Sequence, residues 1–309
     1  MSWSIVLAGG KGERLAHFTA RWMGRYIPKQ YCAFVGRRTM LEHTLDRARQ
    51  ISSPDEVVTV VAREHRHLAR RQVRGGIIEQ PVNCDTAAGI LLPLSQIWRR
   101  DPGATVAIFP SDHFIYPEER FLDAVRVALS AAETLAGRVV LLGVVPDTPE
   151  RDYGWILKGR DLARIGGNPV HSVRSFLEKP AVGVARKLRK DGGLWNTMVL
   201  AAKVETLWRL GWRYLPELMF RFESLVEAWG TPLESRVVTS IYRDMPKRNF
   251  SRDLLERARQ EISVIELKNV QWSDWGRAER IEHSLLRLGK RPAWKEPAPW
   301  PMAMAGGVA

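Results

Sequence analysis

Short apolar runs alternate with amphipathic helical patterns over the first half of the chain. Such an alternation is typical of βαβ units, in which parallel strands form a sheet and helices cover both of its faces. The predicted strands are Ile5–Ala8, Val57–Ala62, Gly76–Gln80, Val106–Pro110 and Val139–Val145, and the predicted helices are Thr39–Ile51, Arg63–Arg74, Thr86–Arg100 and Glu118–Ala136. We therefore predict an α/β fold with a Rossmann-like, doubly wound, mostly parallel mixed sheet.

The pattern changes beyond Pro146, where strands at Gly154–Lys158 and Val170–Glu178 are predicted to return towards the first half. A helix at Val182–Lys190, a strand at Leu194–Ala201 and helices within Val204–Trp229 follow. We predict a core over residues 1–235, a small C-terminal subdomain over 236–288 that contains a strand at "ISVIEL" and completes the site, and a loosely ordered, proline-rich tail over 289–309.

Composition places the chain among ordinary globular proteins, since 45% of its 309 residues are hydrophobic and 26% are charged. No basic segment leads into a long apolar one at the N-terminus, and no apolar run approaches the length of a membrane span. We expect a cytoplasmic protein without a membrane partner. The two cysteines, Cys32 and Cys84, are too few for a disulfide framework, and we expect small buried side chains there.

The net charge of +13 favours anionic partners in general. The densest basic segment, "AREHRHLARRQVR", places Arg63, Arg66, Arg70 and Arg74 on one side of a predicted helix, as a solvated face would. No aromatic residues alternate with these arginines as they do in nucleic-acid grooves. We therefore expect no nucleic-acid partner.

A glycine-rich loop follows the first predicted strand in "VLAGGKGERL". Gly9, Gly10 and Gly12 allow a sharp turn and expose backbone N–H groups to an anion at the carboxyl end of a strand, where open α/β sheets bind ligands. The spacing fits neither a P-loop nor a dinucleotide fingerprint, which has a glycine where Leu15 stands. The loop indicates a phosphate site, and a tight turn without a ligand is the alternative.

Two isolated acids stand at predicted strand ends. Asp112 lies in "IFPSDHF" and Asp274 in "VQWSDWG". Two carboxylates far apart in sequence can hold one Mg²⁺ against phosphate oxygens if the fold brings them together. The alternatives are a helix N-cap at Asp112 and a turn residue at Asp274.

Basic, polar and aromatic groups accompany these acids. Arg14 follows the glycines and Lys29 follows Pro28 in "IPKQY", so both cations could meet a triphosphate. "FLEKP" supplies an acceptor and a cation, and "DYGWI" and "LWNTMV" add side chains typical of carbohydrate pockets. An ordinary surface lysine at 179 and an ordinary core tryptophan at 195 are the alternatives.

Eight motifs, in their order along the chain, resemble the sugar-1-phosphate nucleotidyltransferases and most closely the mannose-1-phosphate guanylyltransferase branch. They are "LAGGKGERL", "PKQY", "EQPVNCDTAAG", "FPSDH", "DYGWI", "FLEKP", "LWNT" and "WSDWG". The resemblance runs from about Ile5 to Gly276. It implies a nucleotide-diphospho-sugar transferase fold, GTP and mannose 1-phosphate as substrates, and Mg²⁺-assisted in-line transfer that releases pyrophosphate. A homodimer is compatible with it.

The resemblance also implies a role for each matching residue. Arg14 would stabilise the departing pyrophosphate, Lys29 would meet the reacting phosphates, and Asp112 and Asp274 would hold the metal; Arg14, Lys29 and Asp112 would be catalytic. The implied nucleotide-binding residues are Leu7, Ala8, Gly9, Gly10, Gly12, Arg14, Gln80, Thr86 and Ala87. The implied sugar-phosphate-binding residues are Tyr153, Gly154, Glu178, Lys179 and Asn196.

Three departures from the branch leave alternatives open. The segment "HFTARWMGRY" is longer than the usual turn, Cys84-Asp85 replaces an Arg-Asn pair in the base segment, and Ser251 stands where an aspartate is usual. Together with Gln80 in place of a glutamate, the base segment leaves open a uridylyl- or thymidylyltransferase acting on glucose 1-phosphate. A catalytically weak paralogue that binds nucleotide sugar and regulates a partner is the remaining alternative.

Overall fold

The structure is a computed structural model that describes residues 2–295. Its strands are β1 (Ser2–Ala8), β2 (Val57–Ala62), β3 (Gly76–Gln80), β4 (Thr105–Pro110), β5 (Phe114–Tyr116), β6 (Val139–Val144), β7 (Gly154–Ile165), β8 (Asn168–Glu178), β9 (Leu194–Lys203), β10 (Ile262–Leu267) and β11 (Gln271–Ser273). Its α-helices are α1 (Ala16–Met23), α2 (Met40–Arg49), α3 (Arg66–Ala69), α4 (Asp85–Arg100), α5 (Glu118–Thr134), α6 (Val182–Lys190), α7 (Val204–Tyr214), α8 (Pro216–Val226), α9 (Glu234–Tyr242) and α10 (Ala278–Leu286).

Nine strands form one mixed sheet in the order β3-β2-β1-β4-β9-β6-β10-β8-β7. The strands β1 to β4 are mutually parallel, β6 and β10 are parallel, and β9 is inserted antiparallel between β4 and β6. The prediction of a mostly parallel, doubly wound α/β sheet is confirmed.

Consecutive residues of the central strands face opposite sides of the sheet and enter separate cores. Ile5 and Ile108 belong to the core under α4, α7 and α8, whereas Val6 and Phe109 belong to the core under α2 and α5. Since both faces are covered, these strands consist of nearly continuous apolar residues rather than alternating ones. Both cysteines are buried, as predicted.

The predicted strands and helices of the first half occur with small shifts, except for the helix predicted over Arg63–Arg74. That segment forms a 3₁₀ turn over Arg63–His65 and the four-residue helix α3. The N–H groups of Gln72 and Val73 both bond to the carbonyl of Ala69, which ends the helix before β3 begins. The prediction was wrong because regularly spaced arginines lacked the apolar stripe that holds a longer helix on a sheet.

The C-terminal segment predicted as a subdomain over 236–288 is continuous with the main sheet. Its strand β10 lies between β6 and β8, with Ile262 opposite Val139 and Val264 opposite His171. Sequence order could not reveal this, because the strand joins the sheet more than a hundred residues after its parallel neighbour. The segment therefore contributes to the centre of the fold through β10, whereas α9, β11 and α10 lie outside the main sheet.

A separate two-stranded sheet, absent from the sequence prediction, joins β5 to β11. Ser273 pairs with Phe114 and Gln271 pairs with Tyr116 in antiparallel register. The Phe114 ring also stacks on the Trp275 ring, with 4.6 Å between centroids and 9° between planes. Each strand has three residues, which is too short for a periodic signal.

The predicted tail falls mostly on residues 296–309, outside the described residues. Within the described range, Ala293–Lys295 forms a 3₁₀ turn, and the Trp294 ring packs edge-on against Phe18 at 4.8 Å between centroids. None of the helices described between residues 2 and 295 has the length and apolarity to cross a membrane.

We predict that Trp275→Ala lowers the free energy of unfolding by about 3–5 kcal/mol, because it removes a side chain that is 2% exposed and stacked on Phe114. Phe220→Ala is the matched control, since Phe220 is 70% exposed, and we expect a loss of about 1 kcal/mol or less. Urea unfolding followed by tryptophan fluorescence and circular dichroism measures both. Equal losses in the two variants would contradict a stabilising role for the β5–β11 unit.

Candidate active site

The glycine loop lies at the carboxyl end of β1, beside the ends of β2 and β4. Gly12 adopts φ +67°, and a Cβ there would lie 3.1 Å from the Lys29 backbone nitrogen, so this position favours glycine on both counts. The buried Gln30 amide donates to the carbonyls of Ala8 (3.0 Å) and Gly10 (2.7 Å). Gln30, which belongs to the "PKQY" segment, therefore ties the glycine loop to that segment. The sequence did not indicate this role.

A buried lysine joins the two predicted metal aspartates. Lys29 is 4% exposed, and its ammonium lies 2.8 Å from Oδ2 of Asp112 and donates to the backbone carbonyl of Asp274. Asp112 does not cap the helix that follows, because the N-cap of α5 is Pro117. The structure thus brings together three residues that are far apart in sequence. Asp112 stands 83 positions after Lys29, and Asp274 stands 162 positions after Asp112.

The β5–β11 ladder accounts for this meeting. Asp112 stands two residues before Phe114, and Asp274 stands one residue after Ser273, the residue that pairs with Phe114 in the ladder. Antiparallel pairing therefore places both aspartates at the same end of the small sheet. The neutral ring of His113, the residue after Asp112, accepts a hydrogen bond from Trp272 Nε1 at 3.3 Å. This bond fixes the backbone next to Asp112.

The Asp274 carboxylate is almost saturated with donors. Its Oδ1 accepts from the Tyr153 hydroxyl (2.7 Å), from Arg280 Nη1 (2.8 Å) and from the Gly276 N–H (3.0 Å). Its Oδ2 accepts from Arg14 Nη2 at 2.7 Å. The hydrogen bond from Gly276 agrees with the alternative that Asp274 is a turn residue. A turn residue does not need the three further donors, which are two arginines and a tyrosine hydroxyl.

Electrostatics keep both aspartates ionised. Burial alone would raise the pKa of Asp274, but Lys29 and Arg14, with the Tyr153 hydroxyl and Arg280, outweigh burial and hold that pKa well below its usual range. Burial likewise opposes ionisation of Asp112, and the Lys29 ammonium overcomes it, so the pKa of Asp112 is also lowered. Both carboxylates are therefore negatively charged at neutral pH.

A second group of predicted residues meets across β7, β8 and β9. Register places Gly154 opposite Glu178, and a Cβ on Gly154 would lie 2.7 Å from Glu178 Oε2 and 3.3 Å from the Asn196 Cβ. Burial raises the pKa of Glu178, whose side chain is 9% exposed, against the opposing effect of Lys179. Asn196 Nδ2 is buried without a hydrogen-bond partner among residues 2–295. Oxygen acceptors and amide donors of this kind suit sugar hydroxyls.

Tyr153 links this group to the aspartates. It is 6% exposed, its hydroxyl bonds to Asp274, and its ring packs edge-on against Trp195 at 4.9 Å between centroids. Its backbone carbonyl accepts from the Lys179 N–H at 3.2 Å, and Lys179 has φ +50° with a half-exposed side chain. The hydroxyl of Tyr153 is thus engaged with Asp274, and Trp195 lies in the core.

The predicted base segment is braced by the chain around residue 249. Thr86 Oγ1 accepts from the Phe250 N–H at 2.8 Å, and the Ala87 N–H donates to the Arg248 carbonyl at 3.1 Å. Gln80, 4% exposed, donates from Nε2 to the Tyr242 hydroxyl at 3.2 Å. A Cβ on Gly9 would lie 2.5 Å from Gln80 Oε1, so Gly9 allows the base segment to contact the glycine loop.

The unusually long segment after Arg14 folds into helix α1. Its Phe18 and Trp22 rings pack on Trp294, and Trp22 also packs on Phe34. The extra residues therefore form an aromatic cluster with Phe34 and Trp294. Ser251, at the position of the usual aspartate, donates to the Met198 sulfur at 2.9 Å and is buried.

Among the residues that the structure describes, no three His, Cys, Asp or Glu side chains form a ready metal cluster. A pair of carboxylates beside a phosphate-type loop is instead what Mg²⁺ uses when substrate phosphates supply further ligands. Oδ1 of Asp112, which lies 3.8 Å from His113 Nε2, and Oδ2 of Asp274, once Arg14 leaves it, are the oxygens that would meet that requirement.

A doubly wound sheet with a glycine loop after its first strand, beside acids and cations, is an arrangement by which α/β folds bind phosphate-containing ligands. The model of the family described as Nucleotidyl transferase matches residues 3–284. The chain belongs to the nucleotidyl transferase family.

Two relatives and one solved structure show what the chain is similar to. A mannose-1-phosphate guanylyltransferase of Escherichia coli is 27% identical over 305 residues, with 93% of this chain and 61% of that protein covered. One from Escherichia coli strain K12 is 29% identical over 284 residues, with 88% and 57% covered. The chain thus spans 57–61% of the length of these relatives. A crystal structure titled mannose-1-phosphate geranyltransferase, from Thermus thermophilus, aligns with a TM-score of 0.79 at 27% identity, covering 94% of this chain and 79% of that one.

We predict that Gly276→Ala reduces nucleotidyl transfer at least tenfold, because the new Cβ would lie 2.6 Å from the Arg14 guanidinium and 2.7 Å from Asp274 Oδ2. Gly103→Ala is the control, since a Cβ there meets nothing within 4 Å. Pyrophosphate release measures the effect. Wild-type rates in Gly276→Ala would mean that transfer does not depend on the placement of Arg14 and Asp274 Oδ2 beside residue 276.

Proposed function

We propose that the protein transfers GMP from GTP to mannose 1-phosphate, giving GDP-mannose and pyrophosphate. An oxygen of the sugar phosphate attacks the α-phosphorus of GTP while the bond from that phosphorus to the bridging oxygen of the β-phosphate breaks. No covalent enzyme intermediate is required, so catalysis consists of alignment and charge neutralisation. The observation that carries the proposal is the meeting of Asp112 and Asp274 on the buried Lys29 beside the glycine loop.

The order of groups around the cleft supports in-line transfer. The glycine loop and Arg14 lie on one side of Asp274, and Gly154, Glu178 and Asn196 lie on the other, linked to it through Tyr153. A triphosphate on the loop and a sugar phosphate beside Glu178 would therefore meet at the aspartates. The base segment from Gln80 to Ala87 would face the nucleobase.

Mg²⁺ is the cofactor we propose, held by Asp112 and Asp274 together with substrate phosphates. Bound there, it would neutralise charge on the phosphate oxygens of the transferred group. Lys29 cannot leave its buried position without losing both of its acceptors, so it would supply a fixed positive charge beside the reacting phosphates.

In this proposal, Arg14 also controls when Oδ2 of Asp274 becomes accessible. Its side chain is half exposed and pairs with Asp274 at 2.7 Å and with Asp152 at 3.5 Å. A triphosphate on the glycine loop offers more negative charge than one carboxylate oxygen and would draw the guanidinium away. Oδ2 of Asp274 would then be open, so that nucleotide binding precedes completion of the metal site.

One residue of the base segment supports a second candidate for the nucleotide substrate. Gln80 replaces the glutamate usual at this position in the guanylyltransferases, and its amide is engaged with Tyr242. A neutral amide both donates and accepts, whereas a carboxylate only accepts, so uridine or thymidine nucleotides with glucose 1-phosphate are the second candidate. A panel of GTP, UTP, dTTP, ATP and CTP against mannose 1-phosphate and glucose 1-phosphate separates them. Tight GDP-mannose binding without turnover of any pair would instead favour the regulatory paralogue.

We expect Asp112→Asn to lower pyrophosphate release by about 10²–10³-fold, because the amide loses the charge that a cation and Lys29 require. Asp55→Asn, on the exposed surface, is the control and should keep wild-type rates. Urea unfolding of both variants separates lost catalysis from lost folding, since an unpaired buried lysine costs about 3–5 kcal/mol. Retention of more than half of the wild-type rate would remove Asp112 from the mechanism.

Glu178→Gln should stabilise the folded protein at pH 8 while weakening the binding of the sugar phosphate. The unfolded carboxyl ionises near pH 4.3, about the ordinary value, and burial raises the folded pKa. The folded state therefore binds more protons across that window, so stability falls as pH rises through it and stays lower above it. We expect Glu178→Gln to be more stable than wild type at pH 8, with the difference shrinking towards pH 4.5.

The same variant should bind the sugar phosphate poorly, with a KM about tenfold higher for mannose 1-phosphate and an unchanged KM for GTP. Glu223→Gln, on an exposed helix position, controls for a general effect of removing a carboxylate. A variant that is less stable than wild type at pH 8, or whose sugar-phosphate KM is unchanged, would contradict the assignment.

A further inference from the structure

Arg280 lies in the first turn of α10, six residues after Asp274, and points back into the site. Its side chain is 17% exposed, and its guanidinium carbon lies 4.9 Å from the centroid of the Tyr153 ring. No motif in the sequence singled it out, because a lone arginine on a short helix has many ordinary explanations.

The two ends of the Arg280 fork serve different acids. Nη1 lies 2.8 Å from Asp274 Oδ1 and donates to the Tyr153 hydroxyl at 3.0 Å. Nη2 pairs with Asp152 at 3.2 Å and also with Glu150. Only a planar guanidinium can bond in both directions at once, whereas a lysine ammonium is a single point of charge.

This arrangement determines which oxygen of Asp274 faces the cleft. Arg280, the Tyr153 hydroxyl and the Gly276 N–H all bind Oδ1, so the carboxylate cannot rotate without breaking three hydrogen bonds. Oδ2 is left pointing at Arg14 on the substrate side. Without Arg280, the carboxylates of Glu150, Asp152 and Asp274 would lose their shared cation, and Oδ1 of Asp274 would keep only the Tyr153 hydroxyl and the Gly276 N–H among its described partners.

We propose that Arg280 is a positioning residue, which presents Oδ2 of Asp274 to the metal and nucleotide by holding Oδ1. The inference rests on the proposed function, in which Asp274 is a metal ligand. Arg277 offers a matched control, because it stands on the same segment and pairs with Asp152 at 3.0 Å but is 60% exposed and does not touch Asp274.

The test compares Arg280→Met with Arg277→Met in the full chain by titration of Mn²⁺, followed by electron paramagnetic resonance, with GTP present. We expect the Mn²⁺ dissociation constant to rise at least tenfold in Arg280→Met and less than twofold in Arg277→Met. In turnover, kcat should fall and the half-saturating Mg²⁺ concentration should rise at least tenfold, while the KM for the sugar phosphate stays within twofold. Equal Mn²⁺ affinity in both variants and wild type overturns the proposal.

Chemical rescue adds a readout that a merely structural role would not give. A cavity of about 420 Å³ adjoins Arg280 and is also lined by Tyr153, Trp195 and Trp272. Guanidinium at millimolar concentration can therefore reach the space left by Arg280→Ala, and we expect it to restore Mn²⁺ affinity at least fivefold, with no effect on wild type. Absence of rescue in a folded Arg280→Ala variant counts against the proposal.

If Arg280→Met and Arg280→Ala do not fold, Arg280→Lys is used for the test. It keeps the charge and loses the fork, so we expect intact folding and at least a fivefold loss of Mn²⁺ affinity; unchanged affinity overturns the proposal. Because Mn²⁺ binding is measured without turnover, absence of transfer activity in wild type would reject the proposed function while the role of Arg280 is still decided.

Discussion

The site depends on one buried ammonium group. Lys29 is almost fully enclosed, and its ammonium contacts the Asp112 carboxylate and the Asp274 carbonyl. Removing one partner of such a pair costs about 3–5 kcal/mol, so the "PKQY" segment, the end of β4 and the end of β11 are constrained to meet. The positive charge that holds these three segments is the charge that phosphates would encounter.

Most of the other charges in the cleft follow from that constraint. Asp274 keeps its negative charge in a buried place because Lys29, Arg14, the Tyr153 hydroxyl and Arg280 together outweigh the effect of burial on its pKa. Arg14 is half exposed where it pairs with Asp274, whereas Arg280 is 17% exposed and Tyr153 is buried. In the proposed function, the more buried members position the carboxylate and Arg14 responds to the nucleotide.

The sheet illustrates what periodicity can and cannot predict. β2, β3 and β10 occur at their predicted bounds, and the apolar runs of β2 and β10 are almost completely buried in the sheet. The place of β10 in the centre of the sheet was not predictable, since pairing over long sequence separations depends on the tertiary fold. The β5–β11 ladder was missed for a different reason: three-residue strands are specified by their partner and not by their own pattern.

The sequence by itself determined the class of fold, the glycine loop and the residue types able to handle phosphate and sugar, because these depend on local spacing and on the chemistry of single side chains. Only the tertiary structure decided that Asp112 and Asp274 meet on Lys29, that Gln30 supports the loop, and that Arg280 and Tyr153 hold one oxygen of Asp274. Those contacts join segments up to 245 residues apart. Distances between such segments follow from the packing of the whole sheet, which no short stretch of sequence encodes.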